Sequence, residues 1–529
     1  MPEAAEARRS AARDALGLAA ILALAAVVRG IAWSRTAVLF NDGPVFLGIA
    51  RAIGEGRWAE ALAHPYHPLY PASVAAVASL PIPLGLERAA VVVSILGGLL
   101  TIAALFVLAR EQLGREVAWG VAWVAALHPW AVDFSSDVMS DGLYMGAFAW
   151  GLVGLGRIAS RPGGAGVVLV ALAGALAYWT RPEGAGLWVA GAWVLAWVAA
   201  REPARRRAAL GGLATLGLLA VLLATPYVAG VASVTGELAL TQKKSVAGWL
   251  AGETGTAPDR SALAEDVEAL PLPEVAVRSD GRGTKLPERD LAGALSAVGR
   301  VLATALSTLR FELIPFVWVG AWALRERDDR ARILATIGAP LLLYGAALTL
   351  LVWSEGYVSR RHALPPLLPL LALAVLGARS LLGALTARGR RAARWATAYG
   401  LTGLLVAVLL LGWGPRDLRA RRTDRAAVRE AAEWLAEAHP GSGPVAAQKL
   451  RTAYYARADF VPLMPGRDHS QRRYLRGRGA RWVVIDDAKL TDHQGLEAGI
   501  GDWLEPVHAV VDGAQRVVVL RVGPVEAAR

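Results

Sequence analysis

Long apolar runs separated by short polar or basic segments dominate the chain up to about residue 413. A helix needs about 20 apolar residues to cross the roughly 30 Å hydrocarbon core of a bilayer, and fewer suffice where neighbouring helices help. By this rule, membrane-spanning helices are predicted at 15-33, 89-109, 117-131, 138-156, 164-180, 184-200, 208-230, 311-324, 333-353, 363-378 and 396-413. The pattern therefore predicts an α-helical polytopic membrane protein of about eleven spans.

The run from Leu69 to Leu84 is apolar but short, and it contains Pro71, Pro81 and Pro83. Proline interrupts helices, and so short a run does not easily cross a bilayer. We therefore predict an interfacial helix on the outer face. A crossing here would move later basic clusters to the outer side, against the positive-inside rule.

After residue 413 the pattern changes to short alternations that are typical of a folded domain. An amphipathic helix is predicted over 426-438, and strand-like runs occur at 481-485 and 516-522. The sequence thus predicts a transmembrane module over 1-413, followed by a small C-terminal α/β domain over 414-529.

The distribution of arginines sets the predicted orientation. The chain has a net charge of +12, is 55% hydrophobic and contains no cysteine. Its arginines lie in short clusters between apolar runs, which indicates the positive-inside rule rather than nucleic-acid binding. A cytoplasmic N-terminus places inside the basic loops at 110-115, 157-161, 201-207, 325-332 and 388-394. The loops 34-88 and 231-310 and the C-terminal domain are then extracytoplasmic, in a multi-pass protein of the cytoplasmic (inner) membrane.

Acidic residues lie where predicted spans meet the outer surface. Asp42 follows the first span, and Asp133, Asp137 and Asp141 lie where the third span gives way to the fourth. A purely structural interpretation stays open, because Asn-Asp-Gly is turn chemistry and Ser-Asp can cap a helix. Ionisable groups at membrane depth are functional by default, however. We therefore predict that Asp42, Asp141 and Asp137 are functional residues and candidates for a catalytic role.

Several cations are predicted on the same outer surface, against the positive-inside trend. Arg360, Arg361 and His362 lie in WSEGYVSRRHALPP, and Arg181 with Glu183 lies in YWTRPEG. Binding a phosphate is the simplest role for such cations. The alternative for Arg181 and Glu183 is an ion pair that satisfies itself.

Further candidate substrate-binding residues are weaker. Lys243 and Lys244 in LTQKKS could contact a phosphate, although a solvated loop tolerates lysines freely. His64, His67 and Tyr70 in HPYHPLYP could line the site or be plain interfacial residues.

The motifs FNDGPVFLGIARAIGEGRW, HPYHPLYP, SSDVMSDGLYM, TRPEG and YVSRRHALPPLLP together resemble the GT-C superfamily of polyprenyl-phosphate-sugar-dependent transferases. The likeness is to the branch, related to glycosyltransferase family 39, that contains protein O-mannosyltransferases and the aminoarabinose transferase of lipid A. It implies Asp42 as catalytic base and Asp141, with Asp137 as rival, as the second acidic site. Many relatives carry two acids where this chain has Asn41-Asp42, so no metal ligand is predicted and a divalent cation stays open. His67 stands where the lipid A branch has a lysine, so the resemblance does not predict lipid A as the acceptor.

The resulting hypothesis is an inverting glycosyltransferase that moves a sugar from a polyprenyl-phosphate donor to an acceptor of open identity on the outer face. The expected partners are this donor, the acceptor and the lipid bilayer. One alternative is a transporter or flippase of lipid-linked substrates, for which charges near mid-bilayer would be expected. Another is a non-catalytic membrane scaffold of the same fold, because fold does not prove activity.

Overall fold

The structure is a computed structural model that describes residues 2–242, 290–387, 401–463, 470–513 and 515–523. These residues form two compact units. Those of the first unit lie in Met1–Ile31, Ile49–Ala257 and Leu272–Leu418, and those of the second in Ala32–Gly48 and Arg419–Arg529. The segment 34-48, predicted as the start of the first outer loop, thus belongs to the same unit as the C-terminal residues.

Helices account for nearly all the regular structure before residue 419. In chain order they are α1 (Pro2–Ser34), α2 (Gly43–Gly54), α3 (Trp58–Leu62), α4 (Leu69–Ala78), α5 (Leu86–Leu113), α6 (Arg115–Leu127), α7 (Pro129–Phe134), α8 (Asp141–Ser160), α9 (Ala165–Thr180), α10 (Gly186–Arg201), α11 (Arg206–Thr235), α12 (Leu291–Leu309), α13 (Ile314–Ala323), α14 (Arg330–Glu355), α15 (Arg360–Leu367), α16 (Leu370–Ala387), α17 (Leu401–Gly412) and α18 (Gly414–Asp417).

The prediction of a multi-pass helical membrane protein is confirmed. Within the described ranges, six helical stretches are long and apolar enough to cross a bilayer, and the pair α15 and α16, bent by 60°, would make a seventh. The six are Ala12–Ser34, Leu86–Leu113, Pro182–Arg201, Pro203–Thr235, Leu291–Leu309 and Arg330–Glu355. The other predicted runs contain α6, α8, α9, α13 and α17, whose described residues do not meet this criterion, and residues 396–400 of the last run lie outside the described residues. The number eleven therefore stays a prediction.

A 19-residue helix lies in a segment that was predicted as an outer loop. The segment 231-310 contains α12, whose first turn is capped by the Asp290 carboxylate accepting the Gly293 N–H at 2.7 Å. Its exposed apolar side chains recur at helical spacing, as a lipid-facing stripe does: Leu291, Leu295, Val298, Leu302 and Leu306. The residues before α12 are rich in glycine, proline and charge, so a search for uninterrupted apolar runs did not detect this helix.

Helix α4 fits the interfacial interpretation of the segment 69-84. It contains ten residues, which rise about 15 Å, roughly half the hydrocarbon thickness. The side of the membrane on which it lies stays a prediction.

Glycines allow α5 and α8 to pack at very short range. A Cβ added at Gly97 would lie 2.3 Å from the carbonyl carbon of Gly142, and one added at Gly146 would lie 2.8 Å from the Gly97 oxygen. No side chain fits between backbones this close. This crossing fixes the N-terminal turn of α8, where Asp141 lies.

The second unit contains the predicted small α/β fold. The predicted amphipathic helix is confirmed as α19 (Ala426–Ala438), and the strand-like runs 481-485 and 516-522 correspond to β3, which begins at Trp482, and β5. The remaining regular elements are β1 (Val445–Ala447), α20 (Leu450–Tyr455), β2 (Phe460–Pro462), α21 (Ser470–Gly477), β3 (Trp482–Asp486), α22 (Gln494–Glu497), β4 (Leu504–Asp512) and β5 (Gln515–Val522).

The described strands form one sheet in the order β2-β1-β3-β5-β4. β1 runs parallel to β2 and β3, whereas β5 runs antiparallel to β3 and β4. Val483, Ile485 and Leu520 lie in the buried core of this sheet with Trp503 and Leu504. The unit thus has a hydrophobic core of its own.

Candidate functional site

The turn between α7 and α8 holds two buried carboxylates. Asp141 is the first residue of α8, and its Oδ1 lies 2.5 Å from Nη1 of the buried Arg181. Asp137 is also buried, and its Oδ1 accepts the N–H of Val138 at 2.7 Å. Within the described residues the side chain of Ser140 makes no capping hydrogen bond. Asp141 is therefore part of a buried ion pair and not of a Ser-Asp cap.

Arg181 reaches Asp141 because of the way α9 ends. Its backbone is extended directly after the last turn of α9, and a Cβ on Gly184 would lie 2.1 Å from the carbonyl carbon of Ala177. Glu183 lies 3.5 Å from Arg181 Nη2, so the self-contained Arg-Glu pair exists but is the longer and more exposed contact. The structure therefore brings together Asp141, Arg181 and Glu183, which the sequence placed in two separate motifs.

Tyr70 supports the same turn from α4. Its hydroxyl donates to the Ala90 carbonyl at 3.1 Å and lies 2.9 Å from Ser94 Oγ. Ser94 in turn donates to the Met139 carbonyl at 3.0 Å, within the turn that carries Asp137. Tyr70 is fully buried, so it lies in the scaffold of the acidic turn.

The two histidines of HPYHPLYP have different surroundings. His67 is buried, with Nδ1 2.6 Å from the Tyr178 carbonyl and Nε2 3.2 Å from Thr241 Oγ1. His64 is partly exposed, and its Nδ1 accepts the N–H of Tyr66 at 3.2 Å. His67 therefore joins the residues just before α4 to the end of α9, whereas His64 is partly exposed.

A second cluster joins two arginines to one indole ring. The guanidinium carbon of Arg360 lies 4.3 Å from the ring centre of Trp130, and that of Arg416 lies 4.1 Å from it. Arg360 Nε also donates to Ser307 Oγ at 3.4 Å, and Trp130 Nε1 donates to the Ser307 carbonyl at 3.3 Å. Because Trp130 is in α7, the segment between α6 and α8 carries both this ring and the acidic turn.

Arg361 and His362 lie on the first turn of α15, next to Arg360. Both are half-buried, and His362 Nδ1 lies 3.3 Å from Ser359 Oγ. The predicted phosphate binders Lys243 and Lys244 lie outside the described residues.

The sequence analysis missed Trp130 and Arg416. Arg416 follows the last predicted span on the predicted outer side, so the argument from cations against the positive-inside trend applies to it as well. Near it, Glu312 Oε1 accepts the indole N–H of Trp413 at 2.8 Å and lies 2.8 Å from Arg310 Nη2. Arg310 has a φ of 76°, a left-handed conformation that is uncommon for a residue with a side chain.

Asp42 belongs to the second unit and sits in a turn at the start of α2. The Gly43 N–H donates to the Phe40 carbonyl at 3.0 Å, and the Phe46 N–H donates to the Asp42 carbonyl at 3.1 Å. The backbone of Asp42 thus makes the turn that Asn41-Asp42-Gly43 predicts, and the residue as a whole is partly exposed.

No group of three or more His, Asp or Glu side chains with metal-binding geometry occurs in the described part of the chain. Asp137 and Asp141 are the acids that the acidic turn offers, and Asp141 already has a guanidinium partner.

Comparison with known proteins identifies the fold. No protein-family model and no curated protein matches the sequence. The structure of ArnT from Cupriavidus metallidurans bound to undecaprenyl phosphate is similar over 95% of this chain and 97% of its own, with a TM-score of 0.61 and 15% identity. The oligosaccharyltransferase AglB from Archaeoglobus fulgidus, in complex with an inhibitory peptide and a dolichol-phosphate, matches 89% of this chain and 70% of its own, with a TM-score of 0.51 and 14% identity. Both are members of the GT-C superfamily, so the chain has the GT-C fold that its motifs predicted.

Proposed function

We propose that this protein is an inverting glycosyltransferase that uses a polyprenyl-phosphate sugar on the outer face of the cytoplasmic membrane. The acceptor hydroxyl attacks the anomeric carbon, the bond from that carbon to the phosphate oxygen breaks, and the polyprenyl phosphate leaves with the bonding electrons. A carboxylate takes the hydroxyl proton, and cations stabilise the departing phosphate. The GT-C fold and the polyprenyl phosphates bound to ArnT and AglB support the donor class.

The observation that carries the proposal is the pair of arginines on Trp130. Each guanidinium lies little more than 4 Å from the same ring centre, so the two charges are at most roughly twice that distance apart. Two positive charges on one ring repel each other, and an anion bound beside them reduces this repulsion. Arginine also matches the geometry of phosphate oxygens. Arg360 and Arg416 are therefore assigned to the donor phosphate, with Arg361 and His362 beside them.

The acids take separate roles in this mechanism. Asp42, which is partly exposed, is assigned as the base that deprotonates or orients the acceptor hydroxyl. Asp141 is engaged by Arg181, so Arg181 is assigned to holding Asp141 rather than the phosphate. Asp137 is the alternative to Asp141 as the second acid that supports the site.

The remaining assignments follow the predicted topology. His64, Lys243 and Lys244 are assigned to the donor or acceptor groove, whereas His67 and Tyr70 shape the site from within the scaffold. The acceptor is a compound that carries a hydroxyl group. The C-terminal domain is assigned to the extracytoplasmic side.

The test is transfer of radiolabelled sugar from undecaprenyl-phosphate donors in membranes that contain the wild type or Asp42→Asn at matched protein levels. We expect transfer by the wild type and its loss in the variant. Glu55→Gln is the matched control, because Glu55 is an exposed acid of the same predicted loop that pairs with Arg57. Unchanged transfer by Asp42→Asn would refute its role as base. Absence of wild-type transfer from every donor would favour the transporter or scaffold hypothesis.

A further inference from the structure

The backbone that precedes Asp42 is bound by residues from the C-terminal part of its own unit. The Ala37 N–H donates to the Arg421 carbonyl at 3.0 Å, and the Arg421 N–H donates to the Arg35 carbonyl at 2.9 Å. Residues 35, 37 and 39 thus present polar groups to one side, as alternate residues of an extended strand do. The other hydrogen bonds to the backbone of residues 37 and 39 come from side chains and not from a paired strand.

Three side chains continue this pattern towards Asp42. Arg429 Nη1 donates to the Ala37 carbonyl at 3.1 Å. Arg451 Nη1 donates to the Leu39 carbonyl at 3.2 Å, and the Tyr455 hydroxyl accepts the Leu39 N–H at 2.8 Å. Both polar groups of Leu39, three residues before Asp42, are therefore held by helix α20.

These contacts are buried, which makes their loss costly. Leu39 and Tyr455 are buried, and Arg451 is 5% exposed. A buried backbone group that loses its partner cannot turn to water, so the chain must move to satisfy it. The segment 37-39 is consequently held in one position as long as the side chains from α19 and α20 are present.

Arg451 remains a charged donor at neutral pH. Its burial, together with the nearby charges of Arg425 and Arg422, lowers its pKa to about 10. A charged donor makes a stronger hydrogen bond to a carbonyl than a neutral one. Its bond to Leu39 is therefore suited to holding a backbone in place.

We propose that Tyr455 and Arg451 are positioning residues for Asp42, so that the C-terminal domain takes part in catalysis by fixing the base. This inference rests on the proposed function, in which Asp42 takes the proton of the acceptor. A shift of about 1 Å in a reacting group can lower the rate by roughly a hundredfold, so the position of the turn matters even without substrate contact. Neither residue is proposed to touch the substrate.

The first test compares Tyr455→Phe with Tyr454→Phe in the full-length protein. Each change removes one hydroxyl from α20, but only Tyr455 binds Leu39. Hydrogen exchange followed by mass spectrometry should show faster exchange over 37-42 in Tyr455→Phe, and not in Tyr454→Phe. Equal exchange of this segment in wild type and Tyr455→Phe would overturn the structural half of the proposal without any activity measurement.

The second test measures sugar transfer from the undecaprenyl-phosphate donor that the wild type accepts. Tyr455→Phe and Arg451→Gln should lower kcat by roughly tenfold or more, with KM for the donor changed less than threefold, because the base is displaced while the donor site remains. Arg451→Lys, which keeps the charge and a donor, should recover part of kcat. A rise in KM with unchanged kcat, or no recovery by lysine, would overturn the positioning role.

The two proposals fail in different ways. Wild type that transfers no sugar, combined with faster exchange in Tyr455→Phe, refutes the function and the catalytic role of these residues but leaves the contact itself established. Active wild type whose rate is insensitive to Tyr455→Phe and Arg451→Gln refutes the positioning role alone. Thermal unfolding of each variant serves as the check that the folded protein is being compared.

Discussion

Arg181 and Arg360 were predicted on the same outer surface for the same reason, yet the structure gives them different surroundings. Arg181 is buried and paired with Asp141, whereas Arg360 is exposed and lies on Trp130. A guanidinium whose partner is an internal carboxylate has a structural role, and one beside a second arginine can take an external anion. Loss of Arg181 is therefore expected to lower stability, whereas loss of an arginine on Trp130 is expected to weaken phosphate binding.

Removing Arg181 should destabilise the fold. Arg181→Ala leaves the buried carboxylate of Asp141 without its cation, which typically costs about 3–5 kcal/mol. Glu183→Gln removes the longer, more exposed contact and should cost less than about 1 kcal/mol. Thermal unfolding in detergent measures both effects. Equal changes in the unfolding temperature would show that Arg181 depends on Glu183 as much as on Asp141.

Removing Arg416 should instead weaken binding of the donor lipid. Arg416→Gln is expected to lower the affinity for undecaprenyl phosphate about tenfold, as loss of one charge-assisted contact to a phosphate would. Arg325→Gln is a matched control, since Arg325 also lies over an indole, 3.9 Å from the ring centre of Trp322, but on the predicted cytoplasmic side. Scintillation proximity binding in nanodiscs distinguishes them. Similar losses in both variants would contradict a phosphate site at Trp130.

At the scale of elements, the packing of α5 against α8 positions Asp141. Gly97→Ala would place a Cβ against the backbone of Gly142, which cannot move aside as a flexible side chain can. We expect this change to destabilise the protein by about 1–3 kcal/mol and to lower sugar transfer. Thermal unfolding and the transfer assay measure the two effects.

Gly345→Ala supplies the comparison for this crossing. Gly345 is in α14, and an added Cβ there faces open space in the described part of the chain. The same substitution should be neutral, or stabilising by up to about 1 kcal/mol, because alanine favours helix. A Gly97→Ala protein as stable as Gly345→Ala would mean that α5 and α8 can separate without loss.

For the whole molecule, the predicted orientation places the C-terminal domain outside and the basic loops inside. The chain contains no cysteine, so single cysteines can be introduced without a cysteine-free background having to be made first. Asp512→Cys, near the β4–β5 turn, should react with a membrane-impermeant maleimide in intact spheroplasts. Asp328→Cys, in a basic loop predicted inside, should react only after permeabilisation. The reverse result would show that the predicted orientation is wrong.

The sequence determined the class of the molecule because its signals are local. Apolar runs predicted a helical membrane protein, arginine clusters predicted an orientation, and the period of apolar residues predicted α19, β3 and β5. Ordered motifs predicted the GT-C fold. Each of these signals is carried by residues that are neighbours in the chain, so no knowledge of packing is needed to detect it.

Only the tertiary structure decided which residues meet. Three contacts join residues that are far apart in sequence: the ion pair of Asp141 with Arg181, the two arginines on Trp130, and the hydrogen bond between Leu39 and Tyr455. Such contacts depend on crossings like that of Gly97 with Gly142, whose distances follow from the packing of whole helices. An ionisable residue predicted from sequence can thus bind a substrate or hold the fold together, and its neighbours in space determine which of the two it does.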